Sequence, residues 1–268
     1  MPVLFLISGI IENSSNKEVQ LSQKDYLKVI LFGECTHAQI QNYIDKFGVP
    51  DLPCFVLVVN SKDCKSSAIL NILDNFTLNP SDNAVVIDEN TSVFVKFLDN
   101  LSGEYQSPVE YAQFLHLSIY EELGAKAKVA VGATVNGLHD IPLSYQQATT
   151  AMRMAIALNS KGDVHSFNEY VLVKMLEEIP KSKLKDYLDG LLEGEAKSIF
   201  TDEDMINTAE EFLENSLNVS ETSRNLYLHR NTLMYRLDKI EHATGLNIRK
   251  FSDAVIFRLI TILCKLIK

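Results

Sequence analysis

The chain has 268 residues, 46% of them hydrophobic and 22% charged, and a formal net charge of -10 at pH 7. That much apolar side chain supports one large or two ordinary cores and excludes a disordered chain, while the acidic balance argues against a protein that coats nucleic acid with its whole surface. The four cysteines, Cys35, Cys54, Cys64 and Cys264, form no C-x-x-C pair, so reduced thiols in a cytoplasmic setting are the expectation.

In chain order, residues 3–11 (VLFLISGII) are apolar but about half the length that spans a bilayer, and no Lys or Arg precedes them. They read as a packed terminal element, with no membrane or targeting role. Residues 24–47 read as two short helices around Gly33, the second capped by Thr36 and stopped by Gly48-Val49-Pro50. Residues 54–60 (CFVLVVN) form a continuous β-branched run of the kind found in a buried central strand. A helix over 66–76 follows, and then 84–88 (AVVID) and 92–97 (SVFVKF) flank Glu89-Asn90-Thr91 as a hairpin. Residues 108–123 form a long helix ending at Gly124, residues 129–135 (VAVGATV) another strand, and residues 141–158 an Ala- and Met-rich helix with Ser144 near its start. Strand, helix, hairpin, helix, strand, helix predicts an α+β layer, one sheet with helices against it.

Past Glu169 the pattern holds no convincing strand. Residues 202–217 are amphipathic, with Ile206, Ala209, Phe212 and Leu213 on one face and acids in the first turn. Asn218, with Glu221 three residues on, marks the start of a short helix over 219–226. The turn Tyr227-Leu228-His229 leads into a second helix that ends at Gly245, and residues 253–267 form a final apolar helix. The expected division is therefore a helical segment over 1–49, an α+β domain over 50–168, a helical linker over 169–200 with the boundary between Pro180 and Thr201, and an all-α domain over 201–268.

Charge is distributed unevenly over these parts. Residues 1–200 hold 16 Lys and Arg against 25 Asp and Glu. Between Arg224 and Lys250 there are six basic residues (Arg224, Arg230, Arg236, Lys239, Arg249, Lys250) against Asp238 and Glu241, a local net of +4. The basic charge lies on a helix, three-residue turn, helix outline. Val219, Leu226, Leu228, Leu233, Leu237 and Ile240 are spaced to hold the two helices together. This leaves His229, Arg230, Asn231, Thr232, Tyr235 and Arg236 on the outer N-terminal half of the second helix, with Lys239 further along. In such a motif that half enters the DNA major groove, where Arg bridges two acceptors on guanine, Asn pairs with adenine, and Thr bonds a phosphate or meets a thymine methyl. Ser220, Thr222 and Ser223, at the start of the preceding helix, are candidates for phosphate contacts. On spacing alone, a basic amphipathic helix with an ordinary solvated face fits equally well.

Residues 218–248 (NVSETSRNLYLHRNTLMYRLDKIEHATGLNI) resemble the C-terminal helix-turn-helix of PucR/CdaR-type bacterial regulators, whose core H-R-N-T-x-x-Y-R-L-x-x-I-E stands here as His229, Arg230, Asn231, Thr232, Tyr235, Arg236, Leu237, Ile240 and Glu241. The arrangement is also similar to the Fis-type DNA-binding domain, which implies Arg230 and Thr232 as prime DNA contacts. Tyr227 departs from the pattern, because such turns often hold Gly. Upstream, residues 24–168 resemble the GGDEF-like middle domain of the same regulators, most clearly over 129–152 (VAVGATVNGLHDIPLSYQQATTAM). The resemblance implies a degenerate GGDEF-like α+β domain followed by an all-α helix-turn-helix domain. It further implies a transcriptional regulator that binds double-stranded DNA as a homodimer and answers to an unidentified small-molecule effector. Family members carry a sensory region ahead of the middle domain, whereas only 23 residues precede Lys24 here, so a regulator without that sensor, or a fragment of a longer one, is expected.

Catalysis has little support in the residues. A GGDEF-type cyclase needs acidic metal ligands at the end of its first strand and a Gly-rich acidic hairpin turn. Here the strand ends Val59-Asn60-Ser61, with Asp63 further out, and the turn Asp88-Glu89-Asn90-Thr91 lacks glycine. The six histidines show no H-x-x-x-H or H-E-x-x-H spacing. Gly132-Ala133-Thr134 reads as the end of a strand and not a phosphate cradle, and Met152 and Met154 read as core packing. No catalytic residue, metal or cofactor is expected. The alternative is a small-molecule or nucleotide sensor, or a protein-interaction module, whose helical tail does not read DNA and whose Arg230 is covered.

Overall fold

The computed structural model describes residues 22–50, 52–77, 79–98, 107–192 and 194–267; the apolar stretch 3–11 lies outside them. The chain divides between Val171 and Leu172 into two compact units.

The first unit opens with α1 (Gln23–Leu31) and α2 (His37–Phe47), each started by a reciprocal capping box, Ser22 with Asp25 and Thr36 with Gln39. Then come β1 (Cys54–Ser61), α3 (Ser66–Asn75), β2 (Asn83–Val86), β3 (Thr91–Phe97), α4 (Pro108–Leu123), β4 (Ala127–Val131), α5 (Ile141–Ala157) and β5 (Val164–Ser166). The five strands form one sheet in the order β2-β3-β1-β4-β5. β1 is central, as its unbroken apolar run required, and runs antiparallel to both neighbours, with Val58 opposite Val93 on one side and Ala130 on the other. β5 closes the edge in parallel with β4.

Alternation along β1 sorts the core into two layers. Phe55, Leu57 and Val59 join Ile69, Leu73, Phe94, Leu115 and Ile119 under α3 and α4. Val56 and Val58 are buried on the other face, where α5 packs against β1 and β4. That approach is very close. A Cβ on Gly132 would lie 2.0 Å from the Ser144 carbonyl oxygen, so only glycine fits beneath this helix. Gly132 N also donates to Val56 O at 3.0 Å, and Val56 N donates to Ser144 Oγ, likewise at 3.0 Å. Gly132 and Ser144 thus let the helix lie on the sheet and supply the hydrogen bond that the strand backbone needs there.

The strand expected over 129–135 begins and ends earlier; Val135 rejoins the sheet only by an isolated bridge to Cys54. β5 was not anticipated, since three residues at a sheet edge carry too little alternation to read. Lys96, in the apolar run of β3, is buried because Nζ meets Asp82 Oδ2 at 2.6 Å, while Asp82 Oδ1 accepts from Phe97 N at 2.8 Å.

The described part of the second unit is helical: α6 (Val171–Glu177, starting at the division), α7 (Lys181–Leu191), α8 (Ala196–Thr201), α9 (Glu203–Glu214), α10 (Val219–Asn225), α11 (Arg230–Thr244) and α12 (Phe251–Ile267). Phe200, Phe212, Leu233, Leu237, Ile240, Phe257 and Ile260 share its core. The segment 169–200, expected as a linker, is largely part of this unit, with Ile199 and Phe200 buried in the core. Hydrophobic residues on short helices show no hint in sequence of which neighbour they join.

Gly132→Ala is expected to lower stability by about 1–3 kcal/mol, because backbone has to move to admit the methyl group. Thermal denaturation of the full chain checks this; a variant that melts with the parent would mean that α5 has slack against the sheet.

Candidate nucleic-acid interface

Two side-chain caps and one strained turn build the helix pair. Asn218 Oδ1 accepts from the backbone nitrogens of Ser220 and Glu221 at 3.0 and 3.2 Å, starting α10. The helix stops at Tyr227, which takes a left-handed conformation (φ 54°). Tyr227 N donates to Arg224 O and Leu228 N to Ser223 O, the two bonds of a Schellman end. His229 then caps α11, its Nδ1 accepting from Asn231 N at 3.2 Å. A histidine accepts at Nδ1 only with that nitrogen unprotonated, so in the neutral ring the proton sits on Nε2. Gly245, at φ 71°, ends α11.

Leu233, Leu237 and Ile240 are buried and set the rotation of α11. Asn231, Tyr235 and Lys239 consequently fall on one exposed stripe at helical spacing, with Thr232 beside them and Arg230 exposed at the first turn. Tyr235 is 67% exposed. Arg230 Nη1 reaches the exposed Ser220 hydroxyl at 3.4 Å, which brings the starts of α10 and α11 together. Ser220, His229, Arg230, Asn231, Thr232, Tyr235 and Lys239 therefore all lie on accessible surface of one helix pair.

Three expected contacts are placed otherwise. Thr222 is fully buried and its hydroxyl donates to Asn218 O at 2.8 Å, so it serves the helix interior and is not a surface group for phosphate. Ser223 is half-buried and donates to Ser220 O. Arg236 is half-buried and donates from Nη1 to the buried Thr208 Oγ1 at 2.8 Å, tying α11 to α9. Helical spacing did put Arg236 near the outer face, but a long side chain can cross to a buried acceptor, and here it does.

Arg249, counted in sequence among the six basic residues of this region, also has a structural task. Its Nη2 meets Asp238 at 2.5 Å and its Nη1 meets Glu241 at 3.2 Å. Both carboxylates of α11 are thereby paired with a cation from beyond the helix, leaving a less acidic field on the outer stripe. Residues 8 and 11 positions away in sequence form this clamp, and no local pattern announces it.

In the first unit, the carboxylates considered for a metal site are employed separately. Asp63 Oδ2 accepts from Lys126 N at 3.2 Å, Asp88 Oδ1 accepts from Asn90 N in the hairpin turn at 2.9 Å, and Asn60 Nδ2 donates to Thr91 Oγ1 at 3.2 Å. Among the described residues no three His, Cys, Asp or Glu side chains gather as a metal would require. Nor is any described helix long and apolar enough to cross a membrane.

Comparison with known families matches residues 205–262 to the PucR C-terminal helix-turn-helix domain and residues 33–154 to the GGDEF-like domain. The chain is of the PucR/CdaR type. It is 22% identical over 157 residues to the purine catabolism regulatory protein of Bacillus subtilis, a match covering 59% of this chain and 30% of that one. An uncharacterized protein of Haemophilus influenzae is 30% identical over 140 residues, covering 51% of this chain and 37% of its own. The chain thus spans about a third of the length of these relatives. The crystal structure of a regulator of polyketide synthase expression from Bifidobacterium adolescentis is similar at TM-score 0.43 and 13% identity, over 90% of this chain and 96% of that one.

His229→Ala removes the cap of the PucR-type second helix and is expected to cost about 1 kcal/mol, whereas His229→Asn keeps a cap acceptor and holds parental stability. A His229→Ala variant that melts with the parent would show that the imidazole contact contributes nothing to stability.

Proposed function

We propose that this chain is a sequence-specific DNA-binding transcriptional regulator that reads double-stranded DNA through α10 and α11. The observation that carries the reading is the exposed run Arg230-Asn231-Thr232 at the capped start of α11, whose opposite side is locked in a core. These three side chains offer the donors and acceptors that base edges and phosphates take. Ser220, His229, Tyr235 and Lys239, all exposed, supply further contacts along the backbone. The match to a helix-turn-helix family and the name of the Bacillus relative support the same reading.

Two half-sites are read by two copies, so the working form is a homodimer in the cytoplasm. The GGDEF-like domain is non-catalytic and serves regulation or dimerisation, with a small-molecule effector as its input. Against residual cyclase chemistry, Asn60, Asp63 and Asp88 are each engaged by separate partners. A sensor or interaction module that does not read DNA calls for a covered Arg230, and the exposure of that residue disfavours it.

Selection from random-sequence duplexes, followed by sequencing, tests the proposal. The parent chain should enrich an inverted repeat, and the double variant Arg230→Ala/Thr232→Ala should enrich none. Arg230→Ala alone should cost about 1–3 kcal/mol in binding and relax preference at one position of each half-site. Binding that is weak and indifferent to these substitutions would overturn the assignment.

A further inference from the structure

Among the described residues four non-glycine positions are left-handed: Asn159, Ser216, Leu217 and Tyr227. Asparagine tolerates that region, serine is small, and Leu217 packs against the second core. Tyr227 has none of these compensations. It is a bulky residue at the one position of a Schellman end where glycine is relieved of strain, and it is 96% exposed, so packing inside the molecule does not offset the cost. The residue weakens the turn and contributes no core.

Its surroundings indicate what it touches. Tyr227 lies in the turn that joins the helix of Ser220 to the helix of Arg230, with exposed Arg224 three residues before it and exposed Arg230 three residues after it. Two exposed arginines flanking the turn in sequence suit a polyanion and not an apolar groove. A phenol carries one hydroxyl donor of the kind that DNA-binding proteins direct at phosphate oxygens.

We propose that the Tyr227 hydroxyl donates a hydrogen bond to a backbone phosphate at the edge of the bound half-site, an interaction that rests on the helix pair being the DNA interface as proposed above. The turn gives up stability so that the chain can hold this contact. A neutral donor displaces no counterion, and a phosphate contact carries no base preference. The contribution of Tyr227 is therefore independent of both salt and sequence, unlike that of Arg230.

The test uses the full chain, a short fluorescent duplex of arbitrary sequence, and a series of salt concentrations, with Tyr227→Phe, Tyr227→Gly and Arg230→Ala beside the parent. Tyr227→Phe and Tyr227→Gly should each bind about tenfold more weakly with an unchanged salt slope. Tyr227→Gly should also melt above the parent, by about 4 °C. Arg230→Ala, which removes a positive charge from the interface, should lose affinity and show a shallower salt slope. Parental affinity in Tyr227→Phe, or a Tyr227→Gly variant that melts no higher, overturns the inference while leaving the DNA-reading assignment in place. A loss of binding that follows a shift in the monomer–dimer midpoint of the Tyr227 variants overturns it in favour of a protein contact. If Arg230→Ala also binds as the parent does at every salt concentration, the assignment of the helix pair fails and this inference fails with it.

Discussion

What the second unit presents outward depends on the rotation of α11 about its own axis. Burial of Leu233, Leu237 and Ile240 fixes that rotation. Rotating the helix to face a different side outward would expose these three side chains, at roughly 1.5–3 kcal/mol for each large aliphatic group. Once the apolar stripe is committed, Asn231, Tyr235 and Lys239 have no alternative but the solvent side. Polar ties then hold the helix along its length. His229 closes its first turn, Arg236 reaches a buried threonine on α9, and Arg249 spans Asp238 and Glu241 further along. The basic residues of this region therefore divide their work: Arg236 and Arg249 position the helix, and Arg230 and Lys239 remain on the surface it offers.

The first unit depends on a comparably close fit. β1 is the central strand, buried on both faces, and α5 lies on one face at a distance that only a glycine permits. The sequence V-A-V-G-A-T therefore has a mechanical meaning at Gly132, where the missing side chain and the Ser144 hydroxyl together join strand and helix. In the β2–β3 hairpin turn of this sheet, Asp88 spends its carboxylate on the turn's own backbone. Asp88 bonds Asn90 N, and the Asp88 carbonyl accepts from Ser66 at 2.5 Å. Carboxylates committed in this way stabilise a turn and are not gathered as a cation site would need.

Much of this was open to reading without coordinates. The continuous apolar run of residues 54–60 could only be a strand covered on both sides, and the hairpin, the two capped N-terminal helices, α4 with its terminal glycine and the helix pair at 219–245 all follow from local chemistry. These features are legible because caps, glycine stops and hydrophobic period act over a few residues. The exposure of the candidate residues was legible in the same measure: Ser220, His229, Arg230, Asn231, Thr232, Tyr235 and Lys239 stand exposed where periodicity put them. Thr222 and Arg236 did not follow, because a hydroxyl can turn back to its own helix and a guanidinium can reach past the helix edge. Periodicity assigns a Cα to a face; it does not say where a long or rotatable side chain ends.

By itself, then, the sequence determined the kinds of element, their order, the inner stripe of the second helix and the concentration of basic charge between Arg224 and Lys250. Tertiary structure alone decided the parallel edge strand β5, the membership of Ile199 and Phe200 in the second core, the pairing of Arg249 with two carboxylates, and the contrast between a packed Leu217 and an exposed Tyr227, both left-handed. The physical reason is range. Propensity, capping and amphipathic period are set by neighbours within one or two turns. Ion pairs, strand partners and the burial that repays a strained backbone depend on groups that only the folded chain brings into contact.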